Sequence, residues 1–197
     1  MHRSRIAVAG AILLAAVLFL PPGSASANTG NRAALWSAIA EGRAVAVMRH
    51  ALAPGTGDPA AFDPGDCATQ RNLDAAGRAQ ARAIGAAFRQ AGIDRAEIFS
   101  SIWCRCRQTA DLLDLGPVTV LPALNSFFRD RDRGPAQIAA LREFLAGRSG
   151  GTGPLVLVTH QVVITALTGI YPRSGELVVI AADGTGEVLG RLVPARP

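Results

Sequence analysis

The chain has 197 residues, 20 basic against 15 acidic, a formal net charge of +5 and 49% hydrophobic residues. That is enough for one domain with a substantial core. Every basic residue is arginine, the arginines are scattered rather than striped, and aromatic residues make up only 5%, which argues against nucleic acid as a partner.

The first residues read as an export signal. Met1 to Arg5 is short and basic, Ile6 to Leu20 is apolar, Pro21-Pro22-Gly23 breaks a helix, and Ala25-Ser26-Ala27 has the small-x-small form of a cleavage site. The apolar run is short for a bilayer span, which needs about 20 residues. A signal peptide over residues 1–27 is expected, with an uncleaved anchor as the alternative. A single domain over residues 28–197 then follows, periplasmic or secreted, with no stable membrane insertion.

Helical spacing of Leu35, Trp36 and Ile39 predicts a helix from Arg32 to Glu41, and Ala44 to Met48 reads as a buried strand. Ala51 to Cys67 is a long loop rich in Pro, Gly and Asp, a length more often functional than connective. Asp74 caps a helix from Ala75 to about Gln90. A strand Glu97–Ser100, a helix through Leu113 and a strand Val118–Leu121 come next. Asn125 to Pro135 is a second irregular segment. A helix Gln137–Ala146, a turn from Ser149 to Gly153, a strand Leu155–Val158 and a helix Val162–Thr168 follow. Leu177–Ala181 and Val188–Val193, joined at Asp183-Gly184, close the chain as a hairpin or two edge strands. This alternation predicts a three-layer α/β/α sandwich on a mostly parallel sheet, with no internal repeat and no second domain.

Apart from His2, the histidines stand just past two apolar runs, as Arg49-His50 and Thr159-His160-Gln161. Strand carboxyl ends open into the ligand crevice of a parallel sheet. A single histidine there is more often a packing or capping residue, but two in equivalent positions, one beside an arginine, point to anion chemistry. A third strand end supplies Ser100 to Thr109, with Arg105 and Arg107 at a helix opening. Cys67, Cys104 and Cys106 are the three cysteines. Export makes a disulfide between Cys67 and either Cys104 or Cys106 reasonable, whereas Cys104 to Cys106 would be strained.

Four segments in order resemble the histidine phosphatase superfamily, which includes phosphoglycerate mutases and acid phosphatases. They are Arg49-His50-Ala51; Leu73, Gly77, Gln80 and Ala81; Ser101, Arg105, Gln108, Thr109 and Ala110; and His160 after its strand. One such match is weak, but four at fitting spacings are not. The resemblance implies a phosphoglycerate-mutase-like fold, a phosphohistidine intermediate on His50, and Arg49, Arg105 and His160 around the phosphoryl oxygens. It implies a small phosphorylated substrate, a phosphosugar among the candidates, and neither metal nor cofactor. Within the superfamily the export signal, Arg-His-Ala and the loop cysteine are similar to exported relatives of the lipopolysaccharide core heptose phosphatase.

The chain departs from the pattern where the proton donor belongs. Ser126 stands in place of the glutamate of phosphoglycerate-mutase-type members, and Gln161 in place of the aspartate of the acid phosphatases. Asp130 and Asp132 are candidates, as are Asp58, Asp63 and Asp66. A catalytically weak or silent phosphate-binding protein on the same fold is the alternative function, and a thiol or metal site on Cys104 and Cys106 a remote third.

Overall fold

A computed structural model describes residues 24–148 and 153–193. Residues 1–23, most of the expected leader, lie outside them. Among the described residues the sheet has six strands: β1 (Ala44–Arg49), β2 (Glu97–Ser100), β3 (Val118–Val120), β4 (Leu155–Thr159), β5 (Leu177–Ala181) and β6 (Val188–Leu192), in spatial order β3-β2-β4-β1-β5-β6. Strands β3, β2, β4 and β1 are mutually parallel, while β5 is antiparallel to both β1 and β6. The last two strands therefore form the expected hairpin on one side of a parallel core.

Among the described residues, five α-helices cover the sheet: α1 (Ser24–Ala40), α2 (Ala75–Gln90), α3 (Cys104–Leu113), α4 (Gly134–Ala146) and α5 (Gln161–Thr168). Strand alternation sorts the core into two layers. Ala44, Ala46 and Met48 of β1 face Ile39 of α1, Ile84 and Phe88 of α2, and Ala110 and Leu113 of α3. Val45 and Val47 face the other way, toward Leu141 and Leu145 of α4 and Val163 and Leu167 of α5. The three-layer sandwich follows. Among the described residues, no helix is long and apolar enough to cross a membrane.

Helix starts differ from the sequence reading most at α1 and α4, and by one residue at α5. Helix α1 begins at Ser24 rather than Arg32, so its backbone runs on through residues 24–31. Helix α4 begins at Gly134 rather than Gln137, because Pro135 in a first turn loses no needed hydrogen bond. Gly77 has a specific job: a Cβ there would overlap the Leu52 carbonyl, so only glycine lets α2 lie against the chain leaving β1.

Candidate active site

The adjacent parallel strands β1 and β4 pair Arg49 with Thr159, so they end level and deliver His50 and His160 side by side. The His50 amide donates to the Thr159 carbonyl (2.9 Å), and the two rings meet edge to face with centroids 5.6 Å apart. Strand β2, on the far side of β4, ends at Ser100 and feeds α3, whose first turn carries Arg105. Three neighbouring strand ends thus converge on one cleft of about 170 Å³, lined by Arg49, His50, Arg105 and His160 together with Asp58 and Arg71.

Main-chain clamps fix the His50 segment. Ala51 N–H donates to Thr109 Oγ1 (3.0 Å), and Leu52 N–H donates to Gln80 Oε1 (2.9 Å), whose own amide donates to the Ser174 carbonyl (3.0 Å). The motif residues Gly77, Gln80 and Thr109 are therefore there to hold backbone, which their sequence spacing alone did not explain. His50 Nδ1 faces the Ala51 carbonyl at 2.8 Å and must donate to it, leaving Nε2 with the lone pair. Burial, then the positive charge of Arg105, outweigh that bond and hold the ring's proton affinity well below the ordinary histidine range. At neutral pH His50 is an uncharged imidazole.

His160 is also neutral, its proton affinity lowered first by burial and then by His50 and the surrounding arginines. Arg105 Nη2 donates toward its Nδ1 (3.5 Å), so the proton sits on Nε2 and goes to Ser101 Oγ (2.9 Å). Ser101 in turn donates to Asn125 Oδ1 (3.2 Å), which also accepts the Ile102 amide (2.9 Å). Asn125 was legible only as part of an irregular loop; the structure makes it the end of the chain that orients His160.

Arg49 Nη1 donates to the Pro172 carbonyl (3.0 Å), and the Nε atoms of Arg49 and Arg105 are buried without a partner. Buried donors of this kind cost free energy unless an acceptor reaches them, which suits an anion site. Arg105 meets Asp58 through both guanidinium nitrogens, Nη1 to Oδ1 at 2.5 Å and Nη2 to Oδ2 at 3.1 Å. Partial burial raises the proton affinity of Asp58, but the bonds from Arg105 and from Trp103 overcome it and keep the carboxyl below its ordinary range. Arg71 crosses under the loop and donates to the Gly57 carbonyl (2.7 Å) and to the Ala53 carbonyl. Arg129 reaches from the second irregular segment to the carbonyls of Asp58 and Pro59. Nothing in the sequence marked Arg71, and Arg129 lies in the segment Asn125 to Pro135, which read as irregular.

Asp130 and Asp132 do not line the cleft. They are exposed at a short 3-10 turn (Arg131–Arg133), and of that segment Arg129 reaches over instead. Asp63 and Asp66 are exposed and outside the cleft too, bonded to their own loop as turn residues. Arg107 is exposed and lines a separate shallow groove beside the cysteines. Cys67 is bonded to Cys104, with Cα atoms 5.6 Å apart, and Cys106 is free and buried. The pairing occupies the Cys104 sulfur, so the remote metal site on Cys104 and Cys106 has lost a ligand. Burial pushes the Cys106 thiol up to about 12, which makes it an inert packing group.

The strand order and the helices on both faces match the fold of the histidine phosphatase superfamily. Residues 45–137 match the family model for the histidine phosphatase superfamily, branch 1. Three solved structures share the fold. One is the protein histidine phosphatase SixA in complex with tungstate: 17% identity, TM-score 0.57, covering 77% of this chain and 97% of that one. An Escherichia coli protein provisionally described as an alpha-ribazole-5'-P phosphatase gives 16% identity, TM-score 0.55, and 78% and 96% coverage. An Agrobacterium tumefaciens protein provisionally described as the phosphohistidine phosphatase SixA gives 21% identity, TM-score 0.51, and 78% and 99% coverage. A comparison with curated proteins returned no match.

Proposed function

We propose that the chain is an exported phosphatase that hydrolyses small phosphomonoesters through a phosphohistidine on His50. The observation that carries this reading is the neutral His50 ring, its Nδ1 proton tied to the Ala51 carbonyl, in a cleft whose arginines hold unpaired buried N–H groups. Nε2 is the free nitrogen and attacks phosphorus. An N–P bond forms as the bond to the leaving oxygen breaks, and that oxygen departs with the bonding pair and is protonated by a cleft acid or by solvent. Water then attacks the phosphohistidine in line, the N–P bond breaks, and inorganic phosphate and the neutral imidazole are regenerated.

Arg49 and Arg105 stabilise the charge on the equatorial oxygens in both steps. A phosphoryl dianion beside His160 raises the proton affinity of that ring. The resulting imidazolium donates from Nε2 to Ser101 and from Nδ1 to a phosphoryl oxygen. Export is supported by the basic and apolar leader and by the Cys67–Cys104 bond, which suits an oxidising compartment. Thr56, Ser126, Gln161 and Tyr171 also line the cleft, polar groups that fit the hydroxyls of a phosphosugar, as in the heptose phosphatase-like branch.

Acid-quenched wild-type protein given p-nitrophenyl phosphate should carry an acid-labile phosphate, and His50→Ala should lose both the label and the turnover. Undiminished hydrolysis by His50→Ala would overturn the reading. The engagement of Arg105 by Asp58 favours one second reading, a binding protein without turnover. That reading requires phosphate binding that Arg49→Ala abolishes, and no His50-dependent hydrolysis of any monoester.

A further inference from the structure

We propose that Asp58 is the acid that protonates the leaving oxygen, held on Arg105 until a phosphoryl group takes its place. The inference rests on the phosphatase reading above. Among the described residues, Asp58 is the one carboxylate lining the cleft. Its side chain is 10% exposed and its two oxygens lie on the two guanidinium nitrogens of Arg105. A planar pair of oxygens on that fork has the geometry a phosphoryl group uses, so carboxylate and substrate compete for the same donors.

Competition decides the protonation state. A phosphoryl dianion outbids a single carboxylate charge for Arg105, and the displaced Asp58 loses its cation and gains an anionic neighbour. Both changes raise its proton affinity. Trp103 Nε1, which donates to Oδ2 at 3.1 Å, remains as a tether that keeps the carboxyl inside the cleft. Arg129 meanwhile grips the Asp58 and Pro59 carbonyls, so the loop stays over the cleft while the side chain turns.

The proton balance closes over the cycle. Asp58 gives its proton to the leaving oxygen as the P–O bond breaks, and the resulting carboxylate takes a proton from the attacking water as the N–P bond breaks. Of the five aspartates read as candidates from sequence, Asp63, Asp66, Asp130 and Asp132 do not line the cleft. Ser126, at the position where the family resemblance places a glutamate, lines the same cleft and carries no carboxyl.

The test is a series of monoesters with leaving groups from an acidic nitrophenol to an alkyl alcohol, assayed with wild type, Asp58→Asn and Asp58→Ala. General acid catalysis contributes about 10²- to 10⁴-fold. Both variants should therefore lose roughly that factor in kcat on the alkyl ester, and little on the nitrophenyl ester, whose leaving group needs no proton. Because Arg105 is also freed, inorganic phosphate should inhibit both variants more strongly than wild type, which also reports that the cleft is folded. Equal losses across the series, or none, would overturn the assignment while His50-dependent turnover left the phosphatase reading intact. Absence of turnover by wild type on every ester would overturn both.

Discussion

Replacing Thr109 with valine keeps the shape of the side chain and removes one oxygen. That oxygen accepts the Ala51 N–H at 3.0 Å and donates to the Arg105 carbonyl at 2.7 Å, and both Thr109 and Ala51 are fully buried. Water cannot replace the lost acceptor, so the orphaned amide should cost about 1–3 kcal/mol. For a domain of this size, each kcal/mol shifts the melting temperature by about 2–4 °C, giving a fall of roughly 2–12 °C. The His50–Ala51 peptide carries both this amide and the approach to the ring's own acceptor, so the nucleophile should loosen as well. A displacement approaching 1 Å lowers rate by about 100-fold, and a drop of roughly 10- to 100-fold in kcat is expected. Thermal unfolding and phosphate release are the assays, with Thr109→Ser as the rescue because it keeps the hydroxyl. A valine variant that melts and turns over like wild type would show that the clamp has no energetic weight.

Two more expectations concern buried titrating groups. His50 and His160 are held neutral in the fold, whereas in the unfolded chain they take up protons near pH 6.5. Their contribution to stability is therefore present above that range and lost as pH falls below it, by up to about 2.7 kcal/mol per pH unit while both rings stay neutral. Urea melts between pH 7 and 5 should show the decline, and His160→Gln should lessen it; a flat profile would contradict the assigned states. Cys106, raised to about 12 by burial, should resist iodoacetamide at pH 8 in the native protein. After unfolding without reductant it should take up a single adduct, since Cys67 and Cys104 are joined; labelling of the native protein would refute the burial argument.

Much of the site was legible because the residues that carry it lie at the ends of unbroken apolar runs. Ala44 to Met48 and Leu155 to Val158 have no reading except buried strands, and whatever follows such strands must face a crevice. The choice between Cys104 and Cys106 was not legible. Two residues apart on a helix lie about 200° apart around it, so one cysteine faces the Cys67 loop and the other the sheet, and helical phase relative to tertiary neighbours is not written locally. The same holds for Asp58. Five aspartates in two irregular segments were equivalent on paper, and only chain closure sets one of them on a guanidinium 47 positions away. Arg71 illustrates the limit differently, since its partners are carbonyls, which every residue possesses.

The latch between the two loops also joins a side chain to main-chain oxygens: Arg129 holds the carbonyls of Asp58 and Pro59. A grip of that kind is indifferent to which side chains the first loop displays. The side chains of residues 59–61 can change without releasing the loop, while strand ends and helix starts keep the reacting groups in register. A cleft constructed this way separates what is recognised from what is done to it, and lets the first diversify at little risk to the second.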